Sequence, residues 1–207
     1  SHNTTGIEAC TSCGQKFVAG LNPTTTVEPQ NTGSFRIRSS VSAPEGAPFK
    51  TGEVAGGRYE LRDILGSGPL GVVYRALDRE IDVEIAFKAF YPGLVQTEDD
   101  RKAYSKEMRG LKKLSHANLA RVYEEGFDKE RPYFTGQLLE GLSLRRIIEL
   151  RQGKGQLFDL HEIDPILIQL ASVLDYLHET APHADLKPEN IIILPDLLKV
   201  TDFGLTR

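Results

Sequence analysis

Three short runs rich in β-branched and aromatic residues follow one another between residues 59 and 90. They cover Tyr59 to Leu65, Val72 to Leu77 and Glu84 to Phe90, and Gly or Asp residues separate them. Runs of this length and composition are typical of β-strands, and the turn residues favour close connections between them. The pattern therefore predicts an antiparallel meander of three strands.

Helical and strand patterns alternate beyond the meander. Glu98 to Leu114 has a helix-forming composition with one apolar stripe, and two strand candidates follow at Ala120 to Phe127 and Pro132 to Leu138. A short amphipathic stretch, Leu144 to Gln152, predicts a second helix. Together with the meander, these elements predict a five-stranded sheet accompanied by helices.

The clearest helical signal lies between Leu160 and His178. Apolar residues recur there at alternating spacings of four and three, namely Ile163, Leu167, Leu170, Leu174 and Leu177, with Ile166 and Val173 widening the stripe. Asp164 and Pro165 form an alternative N-cap and first-turn pair, so the sequence leaves two candidate starts. After this helix, the two runs 191–194 and 197–200 predict a short hairpin.

The composition changes near residue 57. Residues 18–56 are rich in Pro, Ser, Thr and Gly without helical or strand periodicity, which predicts a flexible linker. We therefore expect a small N-terminal segment at 1–17, this linker, and a folded domain at 57–207. The net charge is -4, which argues against a nucleic-acid partner.

Neither a membrane span nor a secretion signal is visible in the chain. The longest apolar run is interrupted by polar residues, and no basic stretch precedes an apolar segment at the start. Two cysteines cannot form a disulfide framework, which favours a cytoplasmic location. The chain begins with Ser, so attachment to a membrane through a segment not present here remains an alternative.

Cys10 and Cys13 form a C-x-x-C pair followed by glycine, a shape typical of one half of a zinc ribbon. A structural zinc ion needs four ligands, of which these cysteines supply two, so Zn²⁺ binding requires another pair. Two alternatives remain open from the residues alone: a redox couple, which lacks the usual βαβ surroundings, and no chemical role.

A glycine-rich segment, Gly66 to Gly71, joins the first two predicted strands. In a dinucleotide-binding fold the same G-x-G-x-x-G spacing would open a helix. Here a strand follows, so the glycines predict a hairpin whose backbone can close over phosphates without interfering side chains. Taken alone, the motif is also compatible with a hairpin of no chemical importance.

Four further motifs follow in order along the chain. They are Ile85-Ala86-Phe87-Lys88 on the third strand, Glu107 on the next helix, His183-Ala184-Asp185-Leu186-Lys187-Pro188-Glu189-Asn190 after the long helix, and Asp202-Phe203-Gly204 after the hairpin. With the glycine-rich loop, this series resembles the signature set of eukaryotic-type serine/threonine protein kinases in their bacterial style. The resemblance extends from Tyr59 to Arg207.

The resemblance implies an α+β, bilobal protein-kinase fold with a complete five-stranded N-lobe and its αC helix, followed by the first part of a helical C-lobe. It implies transfer of the ATP γ-phosphate to a Ser or Thr hydroxyl of a protein substrate, with Mg²⁺ as cofactor. A lysine at position 187 fits the serine/threonine pattern. The alternatives are a nucleotide-binding pseudokinase that acts as a scaffold, and a zinc-ribbon interaction module.

The resemblance also assigns catalytic and metal-binding roles. Lys88 would hold the α- and β-phosphates with Glu107 as its partner, Asp185 would orient the substrate hydroxyl, and Lys187 would contact the transferring phosphate. Asn190 and Asp202 would bind Mg²⁺, which prefers hard oxygen ligands. His183 would be a packed, hydrogen-bonded residue and not a general base.

The ATP-binding residues that the resemblance implies come from four parts of the chain. They are Leu65, Gly66, Gly68 and Gly71 at the glycine-rich loop, Val73, Ala86 and Lys88 on the strands, Gln137 and Leu139 in the hinge, and Ile192 as the floor. In this alignment Gly136 takes the gatekeeper position, opening a pocket behind the adenine to bulky inhibitors. An offset of one residue would place Thr135 there instead.

Two departures affect the functional expectation. Ala184 replaces the arginine that often pairs with a phosphorylated activation loop in this family, so we expect activity that does not depend on that phosphorylation. The chain ends shortly after the Asp-Phe-Gly motif, so we expect it to be part of a larger protein and poorly active as an isolated fragment.

Overall fold

The computed structural model describes residues 43–179, 183 and 185–202, together with two short strands near the N-terminus. The strands are β1 (Glu8–Ala9), β2 (Lys16–Phe17), β3 (Val54–Ala55), β4 (Tyr59–Gly68), β5 (Gly71–Asp78), β6 (Val83–Phe90), β7 (Val122–Asp128), β8 (Arg131–Gly136), β9 (Leu142–Ser143), β10 (Ile191–Ile193) and β11 (Leu198–Val200). The helices are α1 (Glu98–Lys112), α2 (Leu144–Gln152) and α3 (Leu160–His178), with a 3₁₀ turn at Pro188–Asn190. Cys10, Cys13, Ala184, Phe203 and Gly204 lie outside the described residues.

Six antiparallel strands form the main sheet in the order β3-β4-β5-β6-β8-β7, one more than the five predicted, because the short strand β3 at the end of the predicted linker pairs with β4. The predicted meander is confirmed as β4-β5-β6, and Gly68 pairs with Gly71 across a very short connection. A Cβ atom on Gly71 would lie 2.0 Å from the Ala89 carbonyl oxygen of β6. Only glycine permits that approach between two backbones, so this residue is needed for the sheet itself.

Helix α1 packs against the sheet edge and begins where its sequence signals place it. Thr97 and Asp100 form a reciprocal capping box, and three acidic residues in the first turn suit the positive end of the helix dipole. The apolar face buries Tyr104 and Met108, and the Tyr104 hydroxyl donates to the Tyr133 carbonyl at 2.6 Å. The helix ends at Lys112, two residues before the predicted end.

Helix α3 begins at Leu160, so the alternative start at Asp164 is wrong. Asp159 and Glu162 form a capping box that satisfies the first backbone N–H groups, and Pro165 lies inside the helix. The helix buries Ile166, Val173 and Leu177, whereas Leu167, which the predicted stripe included, is 56% exposed. None of the helices in the described part of the chain has the length and apolar character needed to cross a membrane.

One face of the sheet carries a cluster of aromatic side chains that residues 43–55 cover. Phe49 is 1% exposed and packs edge-to-face on Phe87, and its carbonyl accepts from the Tyr74 hydroxyl at 2.8 Å. The Arg131 guanidinium stacks over the Phe49 ring at 3.8 Å and forms an ion pair with Glu53. Residues 43–55 belong to the stretch predicted to be a flexible linker, and that prediction is wrong for Phe49 and Glu53, which are packed because the apolar face of the sheet must be covered.

A second apolar cluster joins the sheet to the helices and to the β10–β11 hairpin. It contains Phe90 of β6, Met108 of α1, and Val173 and Leu177 of α3. Val200 of β11 donates to the Asn118 carbonyl at 2.8 Å and accepts from the Ala120 N–H at 2.9 Å. The end of β11 is therefore fixed to the segment that leads into β7.

Candidate active site

The sheet presents one face toward the β10–β11 hairpin and the other toward Phe49. Directly paired residues share a face of an antiparallel sheet. Val73 pairs with Lys88, and Gly136 pairs with Ala86, so the four lie on the face opposite the aromatic cluster. Thr135 pairs with Phe87 and faces the aromatic cluster. Gly136, and not Thr135, therefore shares the face of Ala86 and Lys88.

Gly136 also lies unusually close to the neighbouring strand. A Cβ atom at this position would be 2.7 Å from the Arg121 backbone oxygen. The Gln137 N–H donates to the same oxygen at 2.8 Å. The backbone carbonyl of Gln137 is therefore the group that can bind a nucleotide. Leu139, the other predicted hinge residue, is half-buried just beyond β8.

The glycine-rich hairpin lies at the exposed end of β4 and β5. Leu65 is 43% exposed, and no heavy atom lies within 4 Å of a Cβ built on Gly66 or Gly68. Ile192, the predicted floor of the adenine site, lies on β10, where it pairs with Ser143 of β9 and Lys199 of β11. The predicted adenine residues thus lie on two sheets, Val73 and Ala86 on the main sheet and Ile192 on the β9–β11 sheet, and a cleft between these sheets is where they are predicted to meet.

Lys88 and Asp202 form an ion pair across this cleft. The distance from Lys88 Nζ to Asp202 Oδ1 is 2.6 Å, although 114 residues separate them. Lys88 is 8% exposed, and Asp202 adopts a left-handed backbone with φ of 57°. That conformation is uncommon for residues other than glycine, although Asp tolerates it better than most. The ion pair locates the Asp202 carboxylate beside the strand that carries Lys88.

Glu107, the predicted partner of Lys88, lies half-buried on α1, one residue before Met108 of the apolar face. The ion pair described for Lys88 is the one with Asp202. The pairing of Glu107 with Lys88 stays a prediction.

A second group of polar side chains surrounds Asp185. Lys187 Nζ donates to Asp185 Oδ2 at 2.6 Å, and Asn190 Nδ2 donates to the Asp185 backbone oxygen at 2.9 Å. The hydrogen bond from Lys187 holds the pKa of Asp185 below its ordinary value, with Asn190 and His183 contributing. The pKa of Lys187 is raised, chiefly by Asp185, with smaller contributions from Glu189 and Asp202. These charges therefore share one small region.

His183 and Thr201 connect the two groups. The imidazole of His183 is buried, and its Nε2 atom lies 3.0 Å from the Thr201 carbonyl oxygen. Its Nδ1 atom accepts a hydrogen bond from the Asp185 N–H at 3.3 Å. Thr201 N–H in turn donates to the Asn190 carbonyl at 2.8 Å. The predicted structural role of His183 agrees with these bonds, which hold the loop of Asp185 and the segment of Asp202 together.

The oxygen atoms of Asp202 and Asn190 are the hard donors that Mg²⁺ prefers. Asn190 is 5% exposed and held by bonds to its amide nitrogen, which leaves its side-chain oxygen as the group suited to a cation. Within the described ranges, no three His, Cys, Asp or Glu side chains gather into a metal cluster. A cation here would complete its coordination with phosphate oxygens and water.

Sequence reasoning missed an ion pair beside this group. Arg145 Nε in the first turn of α2 donates to Glu189 Oε1 at 2.7 Å. An arginine in the first turn of a helix interacts unfavourably with the positive end of the helix dipole. That unfavourable position of Arg145 is the feature of the sequence from which a partner outside the helix could have been predicted.

Comparison with known proteins identifies the fold that carries this arrangement. A model of the protein kinase domain matches residues 59–207. The chain belongs to the protein kinase family. The predicted α+β protein-kinase fold is thereby confirmed, and the kinase domain begins just after the segment that contributes Phe49.

Several curated bacterial kinases are similar to this kinase chain. A DNA damage-responsive serine/threonine-protein kinase of Deinococcus radiodurans, RqkA, is 33% identical over 165 residues, which is 76% of this chain and 24% of the relative. A probable serine/threonine-protein kinase of Clostridium acetobutylicum is 28% identical over 158 residues, covering 75% of this chain and 23% of the relative. The chain thus spans about a quarter of the length of these two relatives.

The kinase fold is also similar to solved structures. The kinase domain of PknI from Mycobacterium tuberculosis superposes with a TM-score of 0.67 at 21% identity. The superposition covers 76% of this chain and 62% of that domain. At this level of identity the likeness concerns the fold alone.

Proposed function

We propose that this chain forms the ATP-binding and catalytic part of a serine/threonine protein kinase, within a longer protein. The observation that carries the proposal is the ion pair of Lys88 with Asp202 at 2.6 Å, beside the cluster of Asp185, Lys187 and Asn190. Family membership and the names of the relatives support the same activity. The expected cytoplasmic location belongs to this proposal.

Phosphoryl transfer depends mainly on positioning and on neutralising spread negative charge. In the nucleotide complex, Lys88 contacts the α- and β-phosphates, Val73, Ala86 and Ile192 enclose the adenine, and the Gln137 and Leu139 backbone groups bind its edge. Leu65 and the Gly66, Gly68 and Gly71 backbone cover the phosphates. Glu107 supports Lys88 from α1.

Asp185 acts on the substrate hydroxyl. Its lowered pKa keeps the carboxylate ionised at neutral pH, so it accepts a hydrogen bond from the hydroxyl and then the proton. The hydroxyl oxygen bonds to the γ-phosphorus, the bond from that phosphorus to the β,γ-bridging oxygen breaks, and ADP leaves. Lys187 stays beside the transferring group and stabilises its negative charge.

Asp202 and Asn190 would hold Mg²⁺ when nucleotide is bound, and the ion would supply charge neutralisation at the phosphate oxygens. The Thr201 bonds to Asn190 and His183 keep the two ligands at a fixed separation.

The test is phosphoryl transfer from labelled ATP to a Ser/Thr peptide by the full-length protein, with Asp185→Asn as the inactive control. We expect transfer by the wild type and a loss of at least about 100-fold in the variant, with nucleotide binding retained. Nucleotide binding without transfer in the wild type would instead establish the pseudokinase scaffold.

Independence from activation-loop phosphorylation is a second part of the proposal. It rests on the sequence, in which Ala184 stands where the loop-binding arginine of many kinases lies. Phosphatase treatment of the active full-length protein should leave its turnover nearly unchanged. A large loss traced to a site in the loop would contradict this.

Zinc binding by Cys10 and Cys13 also remains a proposal. The antiparallel pairing of β1 with β2, which flank the C-x-x-C sequence along the chain, supports this proposal, because a cysteine pair between two paired strands is typical of one half of a zinc ribbon. Metal analysis of the purified full-length protein should find bound zinc that is lost in Cys10→Ser and Cys13→Ser. Zinc content unaffected by both substitutions would exclude this role.

A further inference from the structure

The open side of the Asp185 loop carries an ion pair that phosphoryl transfer itself does not require. Glu189 lies four residues after Asp185 and is held by Arg145 of α2 at 2.7 Å. The two side chains are 46% and 45% exposed, as are those of Asp185 and Lys187 at 49% and 41%. Glu189 lies near enough to Lys187, the partner of Asp185, to contribute to its raised pKa, so the Arg145–Glu189 pair lies beside the groups that a substrate hydroxyl would approach.

The position of Arg145 is unfavourable for α2 considered alone. The first turn of the helix contains Arg145 and Arg146 and no acidic residue, so its positive charges meet the positive end of the helix dipole. Arg146 forms an ion pair with Glu149 within α2, whereas Arg145 reaches out of the helix to the Pro188–Asn190 turn. Arg145 therefore serves a contact outside its own helix.

The pair determines which charge a substrate meets. Arg145 lowers the pKa of Glu189, so the carboxylate is ionised and committed to the guanidinium. Without Arg145, an exposed carboxylate beside the catalytic loop would attract Lys or Arg side chains. With it, Glu189 is neutralised by the ion pair, and the hydrogen bond described for Arg145 uses only Nε, so the terminal Nη groups supply further donors for an acidic side chain of the substrate.

We propose that Arg145 is a specificity-determining residue: by pairing with Glu189 it disfavours basic side chains and favours acidic ones close to the phosphoacceptor of the peptide substrate. This inference rests on the proposed kinase function. The selectivity is electrostatic and lies on an exposed surface, so it weakens as ionic strength rises.

The test compares peptides that differ only by Glu or Lys at each position near the Ser or Thr, phosphorylated by the full-length protein. The readout is the ratio of kcat/KM for the Glu and Lys peptides at each position. We expect a ratio above one at one position or more, and a fall of at least about threefold in Arg145→Gln. Arg146→Gln, the neighbouring arginine, is the matched control and should keep the wild-type ratio.

A double variant separates charge from structure. Arg145→Gln together with Glu189→Gln removes both members of the pair and should reduce the preference for Lys that Arg145→Gln alone creates. Raising the salt concentration from about 0.05 M to about 0.5 M should shrink the effect of Arg145→Gln, because the Debye length falls several-fold.

Each other outcome has a defined meaning. If peptides are phosphorylated but Arg145→Gln changes the ratio at no position, or changes it no more than Arg146→Gln does, the specificity proposal is wrong and the kinase function stands. If the wild type phosphorylates no peptide while it binds nucleotide, the proposed function is wrong and this inference fails with it.

Discussion

Lys88 and Asp202 meet at 2.6 Å across the cleft, one on the third strand of the meander and the other just after β11. Lys88 is almost fully buried, whereas the Asp202 side chain is 36% exposed. The pair therefore has an open side toward the cleft, where phosphate and a cation can compete for its members. It links the sheet to the loop segments that carry Asp185 and Asn190.

Replacing Lys88 should abolish activity with little effect on folding. In Lys88→Met we expect kcat/KM for peptide phosphorylation to fall by at least about 100-fold, because a preorganised charge at the phosphates is lost. Steady-state kinetics of the full-length protein measure this. Lys102→Met, at a lysine whose side chain is 69% exposed, is the control and should retain wild-type rates. Equal losses in both variants would contradict the role of Lys88.

The sequence predicted the helices and the meander well because their signals are local. The bounds of α2 follow from the cap at Ser143 and the apolar spacing, and those of α3 from apolar spacing with a cap at Asp159. Asp202 and Lys88 could be brought together only through the family resemblance, since nothing in their local sequences specifies a contact over 114 residues.

The packing of Phe49 and the pairing of Arg145 with Glu189 escaped prediction for a related reason. Phe49 lies in a Pro- and Gly-rich stretch without periodicity, and its burial depends on a sheet face formed by later residues. The burial of α3 was only partly predicted: of the residues in its wide apolar stripe, Ile166 is buried as expected, whereas Leu167 is exposed. The neighbouring elements, and not the spacing of apolar residues along the helix, determine which side of an apolar stripe is covered.

Removing the Phe49 side chain should destabilise the kinase domain strongly. Its ring is 1% exposed and contacts Phe87 and the Arg131 guanidinium, so Phe49→Ala should lower the free energy of unfolding by about 3 to 5 kcal/mol. Denaturant unfolding measures the change. Leu157→Ala, at a side chain that is 88% exposed, should alter stability by less than about 0.5 kcal/mol. A small effect at Phe49 would mean that residues 43–55 do not belong to the folded unit.

Replacing Gly136 by a larger residue should destabilise the domain. A Cβ there would approach the Arg121 carbonyl oxygen to 2.7 Å, and a backbone atom cannot move aside cheaply, so Gly136→Ala should cost about 1 to 3 kcal/mol of unfolding free energy. Gly68→Ala, where no atom lies within 4 Å, should change it by less than about 0.5 kcal/mol. Similar values in the two variants would show that the β7 and β8 backbones separate easily.

The same contact affects the inhibitor pocket expected behind the adenine. Gly136→Met should weaken the binding of a bulky purine analogue, but part of that loss would come from the displaced β7 backbone. Affinity for ATP, measured in parallel by calorimetry, separates the two effects. A loss confined to the bulky analogue supports the pocket, whereas unchanged analogue binding would place the gatekeeper elsewhere.

The stability of the domain should fall as the pH drops below 6.5, in part because of His116. Burial lowers the pKa of His116 from its ordinary 6.5, and the charge of Lys199 on β11 adds to this. The ring stacks on Tyr176 of α3, its Nδ1 accepts from the Asn118 N–H at 3.1 Å, and its Nε2 lies 3.3 Å from Ser172 Oγ. A proton on Nδ1 would break the bond to Asn118.

The sign of this pH effect follows from the lowered pKa. Above pH 6.5 the imidazole is neutral in both states, so the contribution is fully present. As the pH falls through 6.5 toward the folded-state pKa, the unfolded chain binds the proton first and the folded state loses stability. Unfolding free energies measured between about pH 7.5 and pH 5 should therefore decline more steeply in the wild type than in His116→Gln. His161→Gln, at an exposed position near the start of α3, is the control and should keep the wild-type slope. An unchanged slope in His116→Gln would mean that the pKa of His116 is the same in the folded and the unfolded state.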